Sequence, residues 1–407
     1  MILYNIGIWF YTLAIHIAAP FNSKARLWVV GRKGWKEKLS SAFVAEDRVF
    51  WFHCASLGEF EQGRPAIEAI KEKDPGIKIL LTFYSPSGYE IRKNYKHAAL
   101  AMYLPSDRPG NVKAFLNIIK PEKVIFIKYE FWFNYIRRIQ DLQIPLYLVS
   151  GIFRPGHYFF KVYGKKFLRM LAGFTHLFVQ DQQSEQLLRE RGLRNVSLSG
   201  DTRFDRVYAI SQLAEELNVI KVFKGDSKLV IGGSTWQPDE EIICRYINIA
   251  GGDEKWIIAP HEIGEAHLAK IENLLEVSKL RYSKAKNRNL HDYKVLIIDN
   301  IGLLSSAYRY GDMAVIGGGF GKGIHNVLEP ASWGLPVLFG PNHVKFREAL
   351  DLLSEGGAFS FGSYDEFSNT TNSLLGEIKL LSDASDAAKN YVKNKLGATA
   401  IVLNKIL

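Results

Sequence analysis

Short, almost wholly apolar runs alternate along the chain with longer stretches in which apolar and polar residues recur at helical spacing. The first series is VFWFHC (49–54), KILLTF (78–83), KVIFIK (123–128), PLYLVS (145–150) and HLFVQ (176–180). SLSGDTRFDRV (197–207) closes this half, and a polar segment at roughly 210–227 precedes the second series. That series is KLVIGGS (228–234), KWIIAP (255–260), KVLIID (294–299), MAVIGG (313–318) and PVLFG (336–340). Runs without polar alternation suit strands buried on both faces, and the intervening helical stretches suit the crossovers of parallel sheets. The pattern predicts an α/β chain of two Rossmann-like domains with a cleft between them. The expected boundaries are 23–210 and 211–385, with 386–407 a C-terminal helix that can pack back on the first domain.

Ahead of the first strand the pattern changes. MILYNIGIWFYTLAIHIAAP contains no charged side chain, and Lys24, Arg26, Arg32, Lys33, Lys36 and Lys38 follow it. A cleaved signal peptide begins with a basic region, which this segment lacks. Residues 1–22 are expected to form a membrane-anchor helix, since about 19 helical residues just reach across hydrocarbon. Asn5, Thr12 and His16 make a poor span, so a helix embedded without crossing is the other form. A buried core helix is the plain alternative. If the helix spans, the basic flank places the rest of the chain in the cytoplasm, and attachment to the inner face of a membrane is expected.

Composition narrows the choices. The chain has 407 residues, enough for two domains, and 47% hydrophobic with 23% charged residues excludes wholesale disorder. Its formal charge of +10 favours an anionic partner, and the basic cluster beside an apolar segment fits lipid better than nucleic acid. Only Cys54 and Cys244 are present, without disulfide framework or zinc spacing, which suits the cytosol.

The candidate chemistry lies just past the predicted strands, where open parallel sheets bind ligands. Ser56-Leu57-Gly58-Glu59 reads as a capping box, yet a carboxylate there is also placed to act as a general base. Glu130 follows a neighbouring strand in the same way, so the two glutamates would face one crevice. Arg203, in GDTRFD, is a cation for a leaving phosphate or a salt-bridge partner of Asp201 or Asp205. Gly318, Gly319 and Gly321 form a candidate phosphate loop leading into a helix near Asn326, with Glu329 in its first turn. Their spacing matches neither the dinucleotide fingerprint nor the P-loop. His261 ends another strand, where it is either structural or a ligand contact. No Asp-x-Asp triplet or metal-ligand spacing occurs, so neither a metal nor another cofactor is expected.

Taken together, HCASLGE, YEFWFN, GDTRFD, GGST and GGGFGKGIHNVLEPASWGLPVLFGP resemble the Kdo transferases of lipopolysaccharide synthesis, essentially over the whole chain. The resemblance implies a GT-B fold, a CMP-Kdo donor, a lipid A precursor (lipid IVA) acceptor and an inverting, metal-independent transfer at the inner membrane. It makes Glu59 the catalytic base and assigns Glu130 and Arg203 to transition-state stabilisation. It puts CMP contacts on Pro260-His261, on Ile301-Gly302-Leu303 and on Asn326-Val327-Leu328-Glu329. Some positions depart from the family. Arg203 stands where lysine is frequent, His261 where arginine is usual, Phe133 where proline is common and Leu303 where an acidic residue is found. No nucleic acid and no obligate protein partner are expected. The rival readings are a membrane-bound GT-B enzyme using a UDP-sugar and a catalytically silent nucleotide-binding protein.

Overall fold

The computed structural model describes residues 2–128, 130–161 and 164–407; Tyr129 of YEFWFN lies outside them. Among these residues the chain divides into two compact units. One ends at Asp205 and takes back Gly397–Leu407, and the other is Arg206–Leu396.

The first unit holds a seven-stranded sheet of β1 (Val49–Cys54), β2 (Lys78–Phe83), β3 (Leu100–Tyr103), β4 (Lys123–Ile127), β5 (Leu146–Gly151), β6 (His176–Val179) and β7 (Val196–Leu198). All pairs are parallel, in the order β3-β2-β1-β4-β5-β6-β7. The order reverses between β1 and β4, a topological switch point, where the crossovers leave for opposite faces and the strand ends are left open to ligands. β1 is wholly buried, and Phe50 and Phe52 pack on one face while Trp51 packs on the other.

The second unit repeats the plan with β8 (Leu229–Thr235), β9 (Lys255–Pro260), β10 (Lys279–Arg281), β11 (Val295–Ile297), β12 (Met313–Ile316), β13 (Val337–Phe339) and β14 (Ala358–Ser360). Its parallel order is β10-β11-β9-β8-β12-β13-β14, with the switch point between β8 and β12.

The terminal stretch expected as one helix is two, Ile378–Lys393 and Ala398–Ile406, separated by Gly397 at φ +108°. Asp205 accepts the N–H groups of Gly397 and Thr399, both at 2.6 Å, and so caps the returning helix. Val402, Leu403 and Ile406 then join the first core beside Phe50 and Ile67.

The apolar N-terminal segment forms the helix Ile2–Ala18, which bends by 118° into Ser23–Gly31. Among the described residues no single helix is long and apolar enough to cross a membrane. Tyr4, Asn5 and Thr12 face inward, while Tyr11 and His16 are exposed. Tyr4 donates to Asp107 (2.6 Å), and Asn5 accepts from the Asn134 amide (2.8 Å). Ile2, Leu3, Ile6, Phe10, Leu13 and Ile17 are exposed, so the helix is amphipathic with its apolar face outward.

Candidate active site

Two carboxylates meet at the switch point of the first sheet. Glu59 sits in the first turn of the helix Leu57–Lys73, which starts where β1 ends. Its carboxylate accepts the Ala55 N–H, one residue ahead of the N-cap Ser56, and the Ser56 side chain makes no cap, so the expected reciprocal box is not completed. Glu59 is buried, and burial together with the charge of Glu130 pushes its pKa up to about 8, against the opposing pull of the Ala55 and Ser56 amides and of Lys128.

Glu130, just past β4, accepts from Trp132 Nε1 at 2.6 Å and lies 3.2 Å from His53 Nε2. His53 is fully buried on β1, with Nδ1 2.9 Å from Thr82 Oγ1 on β2, and Thr82 accepts from Trp51 Nε1 at 2.7 Å. Thr82 also lies 3.3 Å from the Phe52 carbonyl and Trp132 Nε1 3.1 Å from His53 Nε2, so polar partners hold the His53 ring at both nitrogens. Tyr84 covers Trp132, with ring centroids 4.5 Å apart. Lys128, at the end of β4, has φ +66°, a strained conformation for lysine that brings its charge to Glu59.

Arg203 lies at the start of the helix Thr202–Leu213 and pairs with buried Asp201, Nη2 to Oδ2 2.7 Å and Nε to Oδ2 2.8 Å. The neighbouring Thr202 hydroxyl donates to the Gln62 carbonyl, which docks this segment on the helix that carries Glu59. Glu59, Glu130 and the Arg203 segment therefore belong to one unit. Sequence reasoning missed His53, Thr82 and Lys128. The available signal was a polar side chain inside an otherwise apolar buried strand.

The second unit gathers its candidates at the carboxyl ends of β8, β9, β11 and β12. Pro260 ends β9, and the ring of the exposed His261 lies 4.4 Å from that of His325 and 4.7 Å from that of Trp236. Trp236 Nε1 donates to His325 Nε2 at 2.9 Å, and burial lowers the His325 pKa. In the glycine loop the Gly318 N–H goes to buried Asp239 (2.9 Å) and the Gly321 N–H to the Gly318 carbonyl (3.0 Å). Gly318 has φ +92°, and a Cβ on Gly319 would lie 2.5 Å from the Gly340 backbone, so both need glycine.

The helix after the loop is short, Leu328–Ser332, and the expected start near Asn326 is displaced by two residues. Asn326 instead donates to Glu329 (3.0 Å) and accepts the Leu328 N–H (3.1 Å), and Ser305 also donates to Glu329 (2.7 Å). Ile301 is exposed, Gly302 has φ +99°, and Leu303 precedes the short helix Leu304–Ala307 that carries Ser305. Val327 and Leu328 have buried side chains, so only their backbone groups can face a ligand. Among the described residues no three His, Cys, Asp or Glu side chains cluster as metal ligands.

Residues 33–206 match the family model of 3-deoxy-D-manno-octulosonic-acid transferase (Kdo transferase). A 3-deoxy-D-manno-octulosonic acid transferase of Aquifex aeolicus is 28% identical over 339 residues, 81% of this chain and 88% of the relative. One of Rickettsia bellii is 27% identical over 375 residues, 89% of this chain and 87% of the relative, so the likeness extends across both units. The family match covers residues 33–206, and the curated Kdo transferase relatives extend the likeness over most of the chain, which makes it a glycosyltransferase. In fold it is similar to the UDP-GlcNAc 2-epimerase of Neisseria meningitidis (TM-score 0.61, 13% identity, 88% of this chain and 99% of that one). It is also similar to MurG of Acinetobacter baumannii (TM-score 0.55, 12% identity, 88% and 99%). These likenesses carry the α/β, GT-B-like fold alone.

Proposed function

We propose that this glycosyltransferase moves Kdo from CMP-Kdo to a lipid A precursor, lipid IVA, in lipopolysaccharide synthesis. The observation that carries the chemistry is the pair of neighbouring carboxylates at the β1/β4 switch point, with Glu59 pushed up to about 8. Glu59 takes the proton of the acceptor's primary hydroxyl. That oxygen bonds to the anomeric carbon of Kdo on the face opposite CMP, and the bond from that carbon to the phosphate oxygen breaks with its electron pair. The configuration inverts, and no metal ion takes part. Glu130, fixed by His53 and Trp132, faces the positive charge that develops on the sugar, while Arg203 answers the charge on the departing phosphate.

The second unit holds CMP. Pro260, His261 and residues 301–303 flank the nucleotide, Glu329 accepts from the ribose hydroxyls, and the Gly319 turn with the backbone of 326–328 meets the phosphate. The outward apolar face of Ile2–Ala18 supports attachment to the cytoplasmic face of the inner membrane as a helix lying in the interface rather than across it.

The test compares Kdo transfer from CMP-Kdo to tetra-acylated lipid A precursor by the intact protein and by Glu59→Gln. A folded, CMP-binding variant that loses ~10²–10⁴ in kcat supports substrate and base together. Equal activity moves the base elsewhere. No transfer and no CMP binding by the wild type overturn the donor.

A further inference from the structure

The helices Ile2–Ala18 and Ser23–Gly31, together with residues 105–111, enclose a groove of about 430 Å³ within the first unit. Trp9, Leu13, Trp28 and Trp35 give it apolar and aromatic walls. Its charged lining is of one sign: Arg32, Lys33 and Arg108 contribute, and no aspartate or glutamate does. Nearby Asp107 is turned away, its carboxylate taken by Tyr4 and by the N–H groups of Asn134 and Tyr135. The Nε of Arg108 is buried with no hydrogen-bond partner. Arg32 is held by three carbonyls, of Leu104 (2.7 Å), Trp28 (3.0 Å) and Tyr84 (3.0 Å), and by the Trp28 ring 3.8 Å away. Two of the five N–H bonds of a guanidinium are then left over. Burial without a facing carboxylate lowers the Arg32 pKa to about 10, the condition that a bound anion reverses.

The geometry points to this groove as the seat of the acceptor's phosphorylated, acylated end, with the phosphate on Arg108, Lys33 and Arg32 and one acyl chain along Trp9, Leu13 and Trp28. This rests on the reading of the acceptor as a lipid A precursor. The acceptor is favoured over bulk lipid by what lies behind the groove. Arg32 donates to the Tyr84 carbonyl, the Tyr84 ring covers Trp132, and Trp132 donates to Glu130. The groove is therefore one aromatic pair away from the candidate carboxylates. On its other side the exposed face of Ile2–Ala18 leaves the remaining acyl chains to a bilayer. Forked arginine donors select a phosphate where an ammonium would serve only as a point charge.

The experiment measures initial rates of the full chain in detergent with lipid IVA and with its singly dephosphorylated forms, varying acceptor and CMP-Kdo in turn. Arg108→Gln is expected to raise the acceptor KM about tenfold, the weight of one charge-assisted hydrogen bond, with kcat and the CMP-Kdo KM unchanged. It should also stop distinguishing one dephosphorylated form from lipid IVA. Lys33→Glu, at an exposed position, should act in the same direction without threatening the fold. Unchanged acceptor KM in both variants, with wild type active, overturns the groove and leaves the reaction standing. So does a loss confined to co-sedimentation with phosphatidylglycerol vesicles, which would make the groove a general contact for anionic lipid. A wild type that transfers no Kdo instead fails the underlying reading.

Discussion

Glu59 carries the displaced pKa of the carboxylate pair: burial raises it, and the charge of the neighbouring Glu130 raises it further. If Glu59 is the base, kcat/KM rises about tenfold per pH unit up to pH about 8 and then levels. Glu130→Gln removes the neighbouring charge, so the acid limb moves to lower pH; a limb that stays in place would separate the two residues functionally. The same shift has a stability sign. A carboxyl raised in the folded state contributes stability at low pH that is lost as pH rises toward about 8. Glu59→Gln should therefore raise Tm over wild type, with the gain growing from pH about 5 to pH about 8, as pH-resolved thermal unfolding reads it. The positions of the two glutamates are legible in the sequence because each follows an unmistakable apolar run. Their tuning is not. His53 and Thr82 sit within such runs, and only the pairing of β1 with β2 brings their side chains together. Thr82→Val strands both Trp51 Nε1 and His53 Nδ1, and should cost about 1–3 kcal/mol in denaturant titration.

At the scale of elements, the sequence pattern finds the inner strands of both sheets and misses β3, β7, β10 and β14. These are the four edges. An edge strand pairs on one side only and is three or four residues long here, so its sequence lacks a sustained apolar run: VSL, KLR and AFS carry little pattern. Such short edges also resist pairing with other chains. The N-terminal helix shows a second limit of pattern. Asn5, Thr12 and His16 read as flaws in a membrane span, but Asn5 bonds to Asn134 and His16 meets the edge of the Trp28 ring. Asn5 ties the helix to the rest of the first unit, and Thr12 is buried behind it. For the returning helix Ala398–Ile406, Ile406→Ala should destabilise the first unit by about 2–5 kcal/mol, since Ile406 is fully buried among the residues that pack under β1. A smaller loss in a two-probe unfolding experiment would mean that this helix is only loosely docked.

For the molecule as a whole, the decisive surface is the outward row Leu3, Ile6, Phe10 and Ile17, next to Lys24 and Arg26. Leu3→Asp with Phe10→Asp should abolish most vesicle co-sedimentation while sparing activity on a detergent-dispersed acceptor. Retained binding would place the membrane contact elsewhere. Neither the orientation of this row nor the groove behind it is legible in the sequence, because both depend on how the bent helix pair meets residues 105–111. The return of Gly397–Leu407 has a further consequence, for biosynthesis. Ribosomes deliver the chain from its amino end, and the segment that completes the first core emerges only after all of Arg206–Leu396 has been made. Until then the nascent first unit keeps an uncovered apolar seam at Phe50 and Ile67, so its maturation waits on translation of the second.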